Sequence, residues 1–483
     1  MMKIANEKSK PYILSDESKG TCSWTQSKTI TRDFITAKTA FRTGAGNSLE
    51  FIDSETIRLR VPPDPAVGNY RDPKGYDYYF HVSLKNEGSE SSNIILEALR
   101  SKTEVSNEEW FSSKAPIFCS TDKKRWYLLS NVKATKSHFN YQCPLKIDPG
   151  QTIWVSNNIP TDPICVRDCL LSICKLNSSI IQYHEIGSSV LREPLSLVHI
   201  NSSPQVKKDR FLIWAGIHPS EPDTIAAFWI IDWLLSDDTD AKKILKKYSF
   251  DIVPMINPDG FNLGTSGCNS NGINIFWDFR KKDKEKSPES VALWKWVKKN
   301  PPQIALDIHA YMYQVHKPPR YYVGSVLLHS PEFRKVAWST QVAVLNQLKG
   351  QSLFNDCKNS LTAYLKKKYN TLIFPGYHLR FADGPLACKN KIIKTIKTII
   401  SETSKYPSLN SLKDEKRSTF IFNNFWWYSL QILKEQLPRI IRKRFFSTSL
   451  NQCNIDLARE WKEHVYLSKT ASAVATISSD KIF

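Results

Sequence analysis

The chain has 483 residues, 41% of them hydrophobic and 12% aromatic, a composition that fits a globular protein with room for two or three domains. Its 67 Lys and Arg against 47 Asp and Glu leave a formal charge of +20, which favours an acidic substrate, a nucleic acid or an anionic membrane surface without choosing among them. The first twenty residues lack the apolar core of a secretory signal, no stretch supplies the ~20 apolar residues of a membrane span, and ten cysteines are too sparse for a disulfide scaffold. A soluble, cytoplasmic protein is therefore expected.

Residues 1–25 read as an N-terminal tail. Between residues 50 and 157 the apolar residues alternate or cluster in short runs, TIRLRV, YDYYFHVSL, RWYLLS and TIWVSN, separated by turn-forming stretches such as PPDPAVG and KNEGSESS. This predicts an antiparallel β-sandwich, assigned to residues 26–160. The close-set Cys165, Cys169 and Cys174 match no common zinc spacing and read as buried thiols in an apolar, helical stretch. Residues 161–404 then alternate strands with helices: FLIWAGI before DTIAAFWIIDWLLSD, SFDIVPMI before a loop, SPESVALWKWVKKN before QIALDIHAY. That order predicts an α/β domain with a mostly parallel mixed sheet flanked by helices. Residues 405–483 read as a C-terminal helical extension.

AGIHPSEPDT puts His218 and Glu221 three residues apart, just past the end of a predicted strand, where α/β folds place their ligands. Zinc takes imidazole nitrogen and carboxylate oxygen, and a catalytic site uses three such ligands with one position open. A third ligand is needed, and IALDIHAY supplies His309 on another strand roughly ninety residues later. Taken alone, such a set arises by chance more often than as a metal site.

IVPMINPDGFNLGTSGCNSNGINIFWDFR lies between the two halves of this set. The ordered His-Pro-x-Glu, Asn-Pro-Asp-Gly and Asp-Ile-His segments resemble the zinc carboxypeptidase family, and within it the cytosolic carboxypeptidase branch, over about residues 50 to 400. The resemblance implies a β-sandwich ahead of the catalytic domain, Zn²⁺ as cofactor, His218, Glu221 and His309 as its ligands, and a peptide or protein substrate, acidic tails among the candidates. It also places Asn274 where the family has an aspartate that orients the first metal histidine.

The rest of the site departs from the family pattern. A gapless match from NPDG puts Gly267 at the position of a carboxylate-binding arginine, and Phe276 and Trp277 at the position of an Asn-Arg pair. None of the three can form the paired charge-assisted hydrogen bonds of a guanidinium. Phe276 and Trp277 then become candidate aromatic contacts for substrate, Arg280 a replacement for the clamp from a shifted position, and Tyr311 a group that polarises a carbonyl or simply packs. The family's general-base glutamate has no counterpart in GYHLRFADG. One register puts His378 there, another Arg380, and only the histidine can accept a proton near neutral pH.

Two readings stay open: a divergent zinc hydrolase acting on a peptide or amide bond, or a zinc-binding pseudoenzyme that serves as a binding or scaffold protein. Charge alone supports a nucleic-acid partner, and no binding motif joins it. In the C-terminal extension FIFNNFWWYSLQIL places Phe422, Phe425, Trp426 and Ile432 on one helical face, followed by the basic cluster Arg439, Arg442, Lys443 and Arg444. This segment either packs back onto the α/β domain or meets a partner or an anionic membrane.

Overall fold

The computed structural model describes residues 14–16, 21–22, 28–46, 48–61, 64, 79–100, 117–129, 131–135, 140–279, 287–311, 320–323, 331–348, 351–354 and 360–406. The C-terminal stretch from 407 onward, with its aromatic and basic face, and Arg280 lie outside them. No helix among the described residues is long and apolar enough to cross a membrane.

Two sheets face each other in the N-terminal part. One has the order Tyr127–Leu128, Phe118–Ser120, Thr152–Ser156, His81–Asn86, Ile35–Lys38, Thr29–Arg32; the other runs Lys133–Thr135, Asn140–Ile147, Ser92–Arg100, Thr56–Val61, Ser48–Phe51. Alternation along TIRLRV buries Ile57, Leu59 and Val61, which meet Ala37, Val82, Leu84 and Val155 in a common core. The sandwich departs from the expected antiparallel pattern at one place: Thr56–Val61 pairs with Ser92–Arg100 in parallel. The stretch read as a tail contains a short antiparallel pair, Leu14–Asp16 with Thr21–Cys22.

The helix Pro163–Leu176 follows, started by Asp162, whose carboxylate accepts from Ile164 N, and by proline in its first turn. It carries the three neighbouring cysteines as free thiols, of which only Cys169 is buried; Cys165 and Cys174 are partly exposed, a correction to the sequence reading.

Among the described residues eight strands build a further sheet, in the order Ile181–Ser188, Pro194–Ile200, Tyr248–Val253, Asp209–Trp214, Ile304–Tyr311, Leu372–Arg380, Arg320–Val323, Gln351–Phe354. The strands at its centre, from Tyr248–Val253 to Leu372–Arg380, are parallel, and Tyr248–Val253 is buried throughout. Phe211, Ile213, Ile252 and Leu306 meet the helices Asp223–Leu234, Pro331–Leu348 and Pro385–Thr403 on one face. Leu212, Trp214, Val253 and Ala305 meet Pro288–Lys299 and Leu361–Tyr369 on the other. Period-two alternation in each strand thus feeds two helical layers.

The connectivity marks one place on this sheet. After Asp209–Trp214 the chain passes through Asp223–Leu234 to Tyr248–Val253 on one side, then through Pro288–Lys299 to Ile304–Tyr311 on the other. The carboxyl end of Asp209–Trp214 is therefore a topological switch point, where the two crossovers diverge and leave a crevice.

Candidate metal centre

The chain leaves that switch point through a turn that needs glycine. Gly216 has φ +65, and a Cβ there would sit 2.7 Å from Met255 Cα and 2.9 Å from Pro254 O. Its carbonyl accepts from Asn257 N at 3.0 Å, so the turn is pressed against the exit of the neighbouring strand. His218 to Glu221 then form a tight turn, closed by Glu221 N donating to His218 O at 2.9 Å, with Pro219 at the position that favours its fixed φ. The turn explains the spacing: it brings the first and fourth side chains together.

Within it His218 Nδ1 lies 2.9 Å from Glu221 Oε1. His309, on the adjacent strand, puts its own Nδ1 2.9 Å from Glu221 Oε2, and Ala310 N donates to that oxygen at 3.0 Å. One ligand atom from each of the three residues fits within 4.8 Å of the others. The opposite edge of each imidazole faces an oxygen. Asn274 Oδ1 is 3.3 Å from His218 Nε2 and accepts from Phe276 N at 3.0 Å, which fixes the orientation of the amide. Asp307 Oδ1 is 3.3 Å from His309 Nε2, and its other oxygen accepts from Gly376 N at 3.2 Å.

Burial alone would push the Glu221 carboxyl upward, but His309 and His218 outweigh it and hold it well below the usual range. Burial likewise disfavours the His309 cation, and Glu221 and Asp307 reverse that and raise its pKa well above the ordinary value. The centre is thus a set of opposite charges gathered in a buried place. Two imidazoles that turn Nδ1 toward one carboxylate, with an acceptor set behind each Nε2, are the donor set and supporting shell that zinc takes, so the residues present fit the metal.

The structure brings His378 into this group. It pairs with His309 across the two parallel strands, its ring stacks on the His309 ring at 5.0 Å and 23°, and it is buried. His378 Nδ1 lies 2.5 Å from Gly376 O. A carbonyl only accepts, so Nδ1 carries the proton and Nε2 is the basic nitrogen of the neutral ring. Arg380, two residues on, is ion-paired with Asp383, which also meets Lys391.

The expected substrate contacts Phe276 and Trp277 follow closely on Asn274. Both belong to the short 3-10 helix Ile275–Trp277, and Phe276 is buried with its ring edge-to-face against His309 at 5.3 Å. It packs the wall of the centre; Trp277, 4.4 Å away and half-buried, is the outer member of the pair. Tyr311 pairs through its backbone with Arg380. Gly267 donates its amide to Asp64 of the sandwich at 2.6 Å. Sequence reasoning missed Asp307 and Asp64. The first was within reach, because a residue two before His309 on a strand shares its face; the second is remote in sequence and left no local signal.

The family model for zinc carboxypeptidase matches residues 168–371, the stretch that holds the whole triad. These residues match as a zinc carboxypeptidase domain. Among its curated relatives, cytosolic carboxypeptidase 6 of Caenorhabditis elegans is 30% identical over 154 residues, covering 30% of this chain and 33% of that protein. Cytosolic carboxypeptidase 6 of Mus musculus is 25% identical over 259 residues, covering 50% of this chain and 45% of that protein. The chain thus spans less than half the length of these relatives. The crystal structure of a metallo-carboxypeptidase from Burkholderia cenocepacia superimposes with a TM-score of 0.62 at 18% identity, covering 77% of this chain and 99% of that one. This likeness shows a fold shared over that part of the chain.

Proposed function

We propose that the protein is a zinc-dependent hydrolase of peptide or amide bonds in which His378 does the proton-transfer work that a glutamate does elsewhere in the family. The observation that carries this reading is the convergence of His218 Nδ1 and His309 Nδ1 on Glu221, with the His378 ring stacked on that of His309. Zinc held by that triad would supply Lewis acidity to the scissile carbonyl and to the attacking water. His378, its Nδ1 proton committed to Gly376 O, presents Nε2 as the base that takes the proton of that water and returns it to the leaving amine. Phe276 and the buried apolar residues around it exclude bulk solvent from the His309 side, which strengthens each charge in the centre.

The substrate is a peptide or protein that does not depend on a terminal carboxylate clamp. Support comes from Gly267, whose amide is already spent on Asp64, and from Phe276, which is packed against His309. Arg380 is held by Asp383 and supplies neither a base nor an uncommitted guanidinium. The names of the curated relatives favour the cytosol as the working compartment.

The test uses zinc-loaded full-length protein on a peptide pool offered with free and with amidated C-termini. Hydrolysis of both forms at similar rates is expected, and His378→Ala should lower the rate about 10²–10⁴-fold at unchanged zinc content. A strong preference for the free carboxylate, such as efficient release of glutamate from polyglutamate, overturns the substrate reading and points to a guanidinium outside the described residues. Zinc-loaded protein that hydrolyses nothing in the pool supports the alternative of a zinc-binding scaffold, which the lack of a glutamate at positions 378 and 380 favours.

A further inference from the structure

Asp64 belongs to the sandwich in sequence but serves the other domain in space. Its buried carboxylate accepts three consecutive backbone amides of the loop after Gly264: Ser266 N at 2.8 Å on Oδ1, then Gly267 N at 2.6 Å and Cys268 N at 3.0 Å on Oδ2. Successive amides that converge in this way form a pocket for an anion. Here the anion comes from the preceding domain. A second sandwich group fastens the same loop, since Tyr79 N donates to Ser266 Oγ at 3.1 Å.

What this loop holds is the turn that carries the metal residues. Ser220 N, between Pro219 and Glu221, donates to Ser266 O at 3.2 Å. Asn257 Nδ2 joins Ile217 O at 2.9 Å and Cys268 O at 3.0 Å, which ties the residue before His218 to the other end of the same loop. Pro219 O receives Asn158 Nδ2 at 3.1 Å, from the segment that leaves the last sandwich strand. The backbone of residues 217–220 is therefore anchored by hydrogen bonds that lead, directly or through one loop, to the sandwich.

From this chain of contacts we propose that Asp64 is a positioning residue of the metal centre. It touches neither His218 nor Glu221; it fixes the loop on which their turn rests and so sets the distance between the two donors before metal arrives. The charge matters as well as the shape. A carboxylate can accept all three amides with charge-assisted bonds, whereas asparagine offers one acceptor and turns N–H groups against N–H groups. The inference rests on the reading that His218, Glu221 and His309 hold zinc.

The experiment measures zinc affinity by chelator competition in the full chain, at a temperature where circular dichroism shows each variant folded. Asp64→Asn should bind zinc about 10–100-fold more weakly, the range for groups that orient ligands from behind. Asp53→Asn is the control: Asp53 accepts Glu55 N at 2.8 Å and Thr56 N at 2.6 Å in an exposed sandwich turn, and its loss should leave zinc affinity unchanged. Asn158→Asp keeps the shape and the bond from Ile159 N while removing the donor to Pro219 O, and it decides the matter if Asp64→Asn does not fold. In that variant a roughly tenfold weaker zinc site supports the role. Wild-type affinity in every folded variant overturns it and leaves the sandwich as a support for folding alone. A wild-type chain that takes up no zinc defeats the metal reading itself, an outcome distinct from wild-type binding that the variants leave untouched.

Discussion

Two buried glutamates in this molecule meet opposite fates. Glu221 is enclosed with His218 and His309, and their positive charge more than offsets burial, so its carboxyl stays ionised far below the usual range. Glu289, in the first turn of Pro288–Lys299, is just as enclosed, but burial pushes its pKa up to about 8 and the nearby carboxyl of Asp259 adds to the effect. Its partners are neutral: Asn269 Nδ2 at 3.2 Å and Val190 N at 3.4 Å. The difference shows that burial alone leads a carboxyl to keep its proton, while burial beside cations leads it to lose one. Only the second kind is ready to bind a metal ion.

The comparison breaks most directly at Glu221. Glu221→Gln removes the charge that both imidazoles face, and zinc uptake should fall from one ion per chain to none in elemental analysis of protein purified without chelator. His218→Ala should do the same, because the turn then presents one donor where it presented two. Stoichiometric zinc in either variant would move the metal to other residues. Glu289→Gln, by contrast, should retain its full zinc content.

A smaller effect is expected behind the ligands. Asn274 sets a neutral amide oxygen 3.3 Å from His218 Nε2, so if that contact orients the ring, Asn274→Ala should weaken zinc binding about 10–100-fold while the ligand set stays whole. Asn274→Asp adds a negative charge at the Nε2 edge of the imidazole, and chelator competition should show tighter binding. Equal affinities for Ala, Asn and Asp would mean that His218 is held by its turn alone.

The grouping of His218, Glu221 and His309 was legible because the chemistry there is local. His-Pro-x-Glu is a turn whose proline and spacing already imply that the two side chains meet, and Asp-Ile-His lies on a strand whose neighbours follow from the alternation of strands and helices. The α/β order, the preceding sandwich and the nearness of Asn274 to His218 could be read for the same reason or through the family resemblance. What could not be read depends on tertiary packing. Whether His378 or Arg380 faces His309 is a question of register between two strands, which the pairing of His309 with His378 answers. Phe276 reads as a candidate substrate contact, and only the fold shows its ring packed against His309; Asp64 is about two hundred residues away from the amides it accepts. The last two strands of the sheet, Arg320–Val323 and Gln351–Phe354, escaped for a different reason: four residues are too few to establish a period.

The finest test concerns stability and returns to Glu289. Its folded pKa of about 8 lies above the 4.5 of an ordinary glutamate, so between these values the folded chain holds a proton that the unfolded chain has released. Stability is then fully present below about pH 4.5 and is lost as pH rises toward and through 8. The loss should be on the order of 2 kcal/mol between pH 6 and pH 8, measurable as a drop in the urea midpoint. Glu289→Gln mimics the protonated carboxyl, keeps an acceptor for Asn269 Nδ2 and has nothing to ionise, so its midpoint should vary less over the same range and exceed that of the wild type at pH 8. Equal pH profiles for the two proteins would show that the Glu289 carboxyl is ionised in the folded state. Its contrast with Glu221 would then lie in geometry alone.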